Sequence, residues 1–155
     1  MKSVPDDTPV IAPCLTVQDA ASAIDFYCGA FGAKVALSLK MPDGRIGHAE
    51  LKIGSGTFML ADAFPEMGFD GPKDGSPNPV SIHLYVEDVD AFFFAKATAA
   101  GAVVERPVAD QFHGDRSGRL ADPFGHKWHV ATRIKNIPYG QMQALLAIEY
   151  GKAED

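Results

Sequence analysis

The sequence predicts an α+β fold built from two tandem βαβββ modules. Three observations predict it. First, LTVQDAASAIDFYCGAFGAKV (Leu15–Val35) recurs without a gap as LYVEDVDAFFFAKATAAGAVV (Leu84–Val104), a spacing of 69 residues. Leu15/Leu84, Val17/Val86, Asp19/Asp88, Ala30/Ala99, Gly32/Gly101, Ala33/Ala102 and Val35/Val104 are identical across the repeat. Second, each copy runs from an apolar strand pattern through an aspartate into apolar residues at helical spacing, and then to a glycine. Third, each copy is followed by three further segments of strand character.

The elements follow in chain order. Ile11–Val17 and Val80–Val86 read as the first strand of each module. Asp19 and Asp88 stand where a carboxylate can accept from the free N–H groups at a helix start. The helices are expected over Ala20–Ala30 and Val89–Ala99, with Ala23, Ile24, Phe26, Tyr27 and Phe31, and then Phe92 and Phe93, on their apolar faces. Gly32 and Gly101 suit helix ends, where a positive φ is wanted. Strands are then expected over Lys34–Met41, Ile46–Ile53 and Thr57–Asp62 in the first copy, with turns at PDGR and GSG. The second copy gives Val103–Pro107, Ser117–Ala121 and Lys127–Thr132, with the turn DPFGH before the last. The modules thus cover residues 9–62 and 80–133, within one domain of residues 9–133. The Gly- and Pro-rich segment 63–79 reads as their linker. Residues 134–155 form an extension with a helix over Tyr139–Tyr150, whose apolar positions suggest packing on the body or on a partner subunit.

Composition narrows the function. A net charge of −6 and an isoelectric point near 5.3 argue against nucleic acid, whose phosphates need clustered Lys and Arg. No apolar run approaches the roughly 20 residues of a membrane-spanning helix. The acidic, proline-broken start MKSVPDDTPV lacks the features of a signal peptide. Cys14 and Cys28 suit free thiols in a reducing compartment. The expectation is a cytoplasmic protein with neither nucleic-acid nor membrane partners.

The two modules, the VEDVDA after the fifth strand and GDRSGRLADPFGHKWHVAT at the end of the second module together resemble the vicinal oxygen chelate superfamily. Within it the chain looks closest to the PhnB-like branch of the glyoxalase/bleomycin resistance/dioxygenase group. The resemblance covers about Pro9 to Arg133. It implies a curved, mixed eight-stranded sheet around a cleft, with the helices outside, and a homodimer. Metal-dependent members hold a divalent ion on the first and last strands of each module. The corresponding positions here are Ala12, Met59, Ser81 and His129. Alanine offers no donor and a thioether suits hard ions poorly, so the usual metal site reads as lost and no cofactor is expected. The implied function is binding of a small organic molecule in the cleft.

Strand alternation supplies the other cleft candidates, because residues i, i+2 and i+4 share a face. Ser81 brings His83 and Tyr85; Cys14 and Thr16 accompany Ala12; His48 and Glu50 lie opposite the apolar Ala49 and Leu51. His48, Glu50, His83 and His129 therefore carry three open readings. They line a pocket without chemistry; they act as an acid/base group in a glyoxalase-like lyase or isomerase; or they hold a shifted zinc, nickel, manganese or iron ion. Cys14, Thr16, Met59, Ser81 and Tyr85 are expected ligand contacts, with Phe64, Phe69 and Phe112 flanking the cleft entrance. Arg116 either binds an anionic ligand or pairs with an acid. His126 reads as a turn residue, and Cys14 as a small apolar residue unless a base lies nearby.

Overall fold

The computed structural model describes residues 1–73 and 76–151; the parts of the expected linker and C-terminal extension at 74–75 and 152–155 lie outside the described residues. Among the described residues, eight strands, three longer helical segments and a short 3-10 turn at Pro65–Met67 make up the elements, in the expected order. In the first module these are β1 (Cys14–Val17), α1 (Ala20–Phe31), β2 (Lys34–Lys40), β3 (Ile46–Ile53) and β4 (Gly56–Asp62). The second has β5 (Ser81–Tyr85), α2 (Val89–Ala91, continuing as a wider helical turn over Phe92–Ala97), β6 (Val103–Asp110), β7 (Asp115–Ala121) and β8 (Lys127–Arg133). A final helix, α3, spans Tyr139–Gly151. None of the described helices is long and apolar enough to cross a membrane.

The strands hydrogen-bond as two four-stranded mixed sheets, ordered β1-β4-β3-β2 and β5-β8-β7-β6. In place of one eight-stranded ladder, each module closes its own. Its last strand returns parallel to its first, Cys14 level with Met59 in one sheet and His83 level with His129 in the other. The chain divides into two compact units. The first comprises Met1–Val80 and the turn Asp122–His126; the second comprises Ser81–Ala121 and the chain from Lys127 onward.

The repeat extends to side-chain hydrogen bonds. Asp19 Oδ1 accepts from Ser22 N at 3.0 Å, and Asp88 Oδ1 accepts from Ala91 N at 3.0 Å. These contacts hold the Asp19 carboxyl below its ordinary pKa, the bond from the Ser22 backbone N–H first and that from its hydroxyl second. One residue further on, the helix starts are tied to the last strand. Asp62 Oδ1 accepts from Ala20 N at 2.8 Å, and Thr132 Oγ1 accepts from Val89 N at 3.0 Å. Asp62 also takes the Ile46 N–H at 2.7 Å, and the Thr132 hydroxyl donates to Val86 O at 2.8 Å. Each side chain thus satisfies an otherwise orphaned helix N–H and fixes where the helix sets off.

In the first unit, Leu15, Val17, Ala49, Leu51, Phe58 and Leu60 are buried, together with Ala23, Phe26, Tyr27, Ala30 and Phe31 of α1. Alternation leaves Cys14, Thr16, His48, Glu50, Met59 and Ala61 on the other face of the sheet, hereafter the open face. The Asp122–His126 turn completes this core. Asp122 is buried and accepts from the Tyr27 hydroxyl, from Phe124 N at 2.9 Å and from His126 N at 3.0 Å.

In the second unit, Trp128, Val130, Leu120, Val89, Phe92 and Phe93 are buried. The expected α-helix over Val89–Ala99 is corrected here: beyond Ala91 the turns widen to π spacing, shown by Thr98 N bonding to Phe93 O at 3.2 Å. The sequence-adjacent Phe92 and Phe93 are both buried on this turn, at 6% and 2% exposure. Phe93 takes the space that Gly118 leaves, where an added Cβ would stand 2.8 Å from Phe93 Cζ and 3.0 Å from Arg106 O. Helix α3 buries no residue, so the expected packing of its apolar positions on the body is absent among the described residues. Its Leu146, Ile148 and Tyr150 remain exposed.

Replacing Asp62 by Ala removes the acceptor for two backbone N–H groups, and should cost about 2 kcal/mol. Thr132→Ala removes one such acceptor and should cost about 1 kcal/mol. Urea denaturation followed by circular dichroism measures both losses, and the order Asp62 above Thr132 is the expected result.

Candidate functional site

The expected site residues fall into two sets, one on each unit's open face. On the first unit, β2, β3, β4 and β1 set Leu37, Glu50, Met59 and Cys14 level with one another. His48 lies level with Leu39. His48 Nε2 and Glu50 Oε1 are 3.1 Å apart, with side chains 35% and 25% exposed, so the imidazole N–H donates to the carboxylate in a half-solvated pair. The sequence expectation that these two share a face holds because strand alternation places both opposite Ala49 and Leu51.

Beside this row the first unit contains a cavity of about 300 Å³. Cys14, Thr16 and Ala61 form its floor; Met41, Gly47, Phe64, Met67 and Phe69 form its walls. The outer wall is a short loop closed on itself, with Phe64 N donating to Phe69 O at 2.7 Å and Phe69 N to Phe64 O at 3.1 Å. Arg45 anchors that loop. Its guanidinium sits 4.0 Å from the centre of the Phe64 ring, donates to Ala63 O at 3.3 Å, and pairs with Glu66 and Asp43 at 2.7 Å. Sequence reasoning found Cys14, Thr16, Phe64 and Phe69 here but missed Met41 and Met67. Single methionines in a turn and a loop carry no periodic signal that would have placed them at a cavity wall.

On the second unit one cross-strand row carries Arg106, Arg119, His129 and His83 in order across β6, β7, β8 and β5. The His83 and His129 rings lie 4.9 Å apart. Arg106 Nη2 donates to Ser117 Oγ at 3.0 Å and to His129 Nε2 at 3.2 Å. A guanidinium can only donate, so His129 Nε2 accepts and the imidazole carries its proton on Nδ1. Burial first, and the Arg106 charge second, hold the His129 pKa below its ordinary value, so the ring is neutral near pH 7. Arg106 and Arg119 carried no sequence signal, because the β6 bulges between Val104 and Ala109 break the alternation that would have placed Arg106 on this face.

Beside this row a second cluster centres on Asp115, which is 2% exposed. The Tyr85 hydroxyl donates to Asp115 Oδ2 at 2.7 Å and Arg133 Nε donates to Oδ1, while Arg133 Nη2 reaches the Tyr85 oxygen at 3.0 Å. His113 Nδ1 stands 3.7 Å from Asp115. Burial pushes the Asp115 carboxyl up, but the Tyr85 and Arg133 hydrogen bonds outweigh it and leave the pKa below the ordinary carboxylate value. Tyr85 is therefore a structural donor as well as an open-face residue. Phe112 is half-buried with its ring 5.2 Å from that of His113.

Several expectations change. Arg116 lies on the helical face, where Asp90 takes its Nε and Nη2 at 2.7 and 2.9 Å and Asp110 takes Nη1 at 2.9 Å. It is a structural cation rather than a ligand contact, because all three guanidinium nitrogens are engaged by acids. The parallel ladders place His83, not Ser81, level with His129, and Cys14, not Ala12, level with Met59. Ser81 lies level with Lys127. Within the first unit His48 pairs with Glu50, and within the second His83 stands beside His129. His126, expected in a turn, sits in one and bonds through Nε2 to Thr16 O at 2.9 Å.

The donor sets do not fit the divalent ion that the superfamily's metal-dependent members use. At the inherited positions the first unit offers an alanine, Ala12, and a thioether, Met59, with the thiol of Cys14 level with the latter. In the second, the His129 lone pair is already taken by a cation, which would repel a metal. Among the described residues no group of three or more His, Cys, Asp or Glu is placed to hold a metal ion.

The Asp115 cluster generates a pH-dependent expectation. Its folded pKa is below the unfolded value, so its contribution is complete above about pH 4 and is lost as pH falls through the folded pKa. Tyr85→Phe removes one of the bonds that lower it, and should cost about 1 kcal/mol at pH 7, with little further cost at pH 2.5. Denaturant unfolding at the two pH values checks this; an equal loss at both would contradict it.

Comparison with known proteins agrees with this architecture. The family model of the Glyoxalase/Bleomycin resistance protein/Dioxygenase superfamily matches residues 10–130. The uncharacterized protein Mb0911c of Mycobacterium bovis is 44% identical over 144 residues, covering 90% of this chain and 93% of that protein. The crystal structure of PA1353 from Pseudomonas aeruginosa superposes with a TM-score of 0.66 at 25% identity, covering 83% of this chain and all (100%) of that one. A PhnB protein from Bacillus cereus shares the fold, with a TM-score of 0.62 at 18% identity over 80% of this chain and 99% of that one. With a family match over most of its length, the chain belongs to the Glyoxalase/Bleomycin resistance protein/Dioxygenase superfamily.

Proposed function

We propose that the chain binds a small, mainly apolar organic molecule in the cavity of its first unit, without a resident metal. The observation that carries this reading is the cavity itself. Its volume of about 300 Å³ is at the lower end of small-molecule sites, and its walls are Phe64, Phe69, Met41 and Met67 over a floor of Ala61, Cys14 and Thr16. Aromatic rings and thioethers favour a flat or polarizable ligand. Thr16, Cys14 and Asp62, which also lines the cavity, supply the few polar atoms that could orient it. Phe69 and Met67 are 60% and 65% exposed, so the outer wall still has apolar surface for a ligand to cover. A homodimer in the cytoplasm, as the superfamily resemblance suggests, is the setting in which we place this activity.

A second reading has one specific observation behind it. The His48–Glu50 pair is a hydrogen-bonded imidazole and carboxylate on the same open face. Such a pair can accept and return a proton near neutral pH, as a lyase or isomerase requires. In that case His48→Ala should abolish turnover while leaving binding within about threefold, since only a transition-state contact would be lost.

Thermal-shift screening of apolar and aromatic metabolites should identify a stabilising ligand, because a molecule at 100 times its Kd stabilises by about 2.7 kcal/mol. Ala61→Trp fills the cavity and should abolish that stabilisation while the circular dichroism spectrum stays native; unchanged binding in this variant would sink the cavity reading. Metal analysis of protein purified without a histidine tag should find far less than one ion per chain. Stoichiometric zinc, nickel, manganese or iron that disappears in His129→Ala would overturn the metal-free part.

A further inference from the structure

The row Arg106, Arg119, His129 and His83 is unusual in what it lacks. Side chains directly opposite on neighbouring strands interact strongly, and like charges there destabilise a sheet. Here two guanidinium groups face each other and two imidazoles continue the row, with no carboxylate in it. The acids nearest in the fold are already engaged. Glu105 pairs with Lys127; Asp115 is held by Arg133 and Tyr85; Asp90 and Asp110 hold Arg116. Among the described residues neither Arg106 nor Arg119 has an acid within salt-bridge distance.

Arg106 adds a second, independent observation. Its Nη2 is spent on Ser117 and His129, but its Nε is buried with no hydrogen-bond partner, and its Nη1 has no acceptor among the described residues. An orphaned donor on a charged group costs more than a neutral one. The positions of these donors are fixed, because Ser117 is fully buried and His129 is half-buried beneath the guanidinium. Arg119 is exposed and stands level with Arg106. A fixed guanidinium with free donors beside an exposed one is a pattern suited to planar or tetrahedral oxyanions.

We propose that the open face of the second unit binds an oxyanion, a carboxylate or a phosphate group of a small ligand, through Arg106 and Arg119 with His83 at its side. The cation stands against His129, the position from which metal-dependent relatives would hold an ion. In this chain positive charge comes from the protein itself and attracts the ligand's oxygens directly. The site does not rest on the first unit's cavity, and the two can be tested apart.

The test is a titration of the full chain with sodium phosphate and, separately, sodium benzoate, at constant ionic strength set with sodium chloride. Proton–nitrogen NMR of the arginine Nε–H groups and of the His83 ring reads the binding. Saturable shifts confined to this row are expected with at least one anion, and the anion that saturates at lower concentration identifies the ligand class. Arg119→Ala should weaken binding about fivefold or more, a loss of about 1 kcal/mol by conversion, and Arg106→Gln should abolish it. Arg119 is exposed, so its variant tests the site even if Arg106→Gln fails to fold. Ala61→Trp, which fills the first unit's cavity, should leave the titration unchanged. No saturable shift with either anion, or undiminished binding in Arg119→Ala, would overturn the proposal.

Discussion

A helix that begins three or four residues after its strand has little freedom, and its first turn must be satisfied within that short reach. The bond from the last strand's side chain to the first helical N–H, Asp62 to Ala20 and Thr132 to Val89, meets that constraint in both modules. It locks the parallel pair β1/β4 or β5/β8 against the helix start, so the strand order, the buried face and the open face follow together. The donor positions correspond through the repeat, while the acceptor has diverged from a carboxylate to a hydroxyl. Geometry has been kept where chemistry has not.

Much of this was legible from residues alone. Asp19 and Asp88 announce the caps, Gly32 ends α1 at a φ of 71°, and alternation places His48, Glu50, His83 and His129 on open faces; Gly101, expected to end the second helix, lies in the turn beyond it at a φ of 104°. What was not legible has physical causes. Three consecutive phenylalanines fit an α-helical pattern, and only the close approach of Phe93 to the bare backbone of Gly118 shows why the turns widen. Spacing along one chain cannot fix the level of two parallel strands, so only the ladders show that His83 lies level with His129 and Cys14 with Met59. Arg116 offered a free fork in the sequence and found Asp90 across 26 residues. Bulges in β6 hid Arg106, whose placement decides the character of its sheet face.

The two open faces have diverged into different solvents for a ligand. One mixes Cys14, Met59, Leu37 and Leu39 with a single imidazole–carboxylate pair; the other carries two guanidinium groups and two imidazoles over a buried hydroxyl. Both lie opposite the helical layer, so substitutions on them leave the caps and cores untouched. This separation lets a duplicated module keep its fold while its recognition chemistry drifts, and it accounts for a superfamily resemblance that specifies architecture far better than reaction.

The Asp122 turn has a further consequence, for the order of events during synthesis. Tyr27 lies in the first unit's core, yet its hydroxyl partner is 95 residues downstream. At roughly 5–20 residues per second, a ribosome needs about 5–20 s to supply it. Until then α1 lacks the Asp122 carboxylate beside the Tyr27 hydroxyl and the Phe124 ring beside Phe26. The first unit's core therefore cannot be completed as soon as its own module has emerged, as the vectorial order of translation would favour. It is finished by a five-residue turn synthesised after most of the second module.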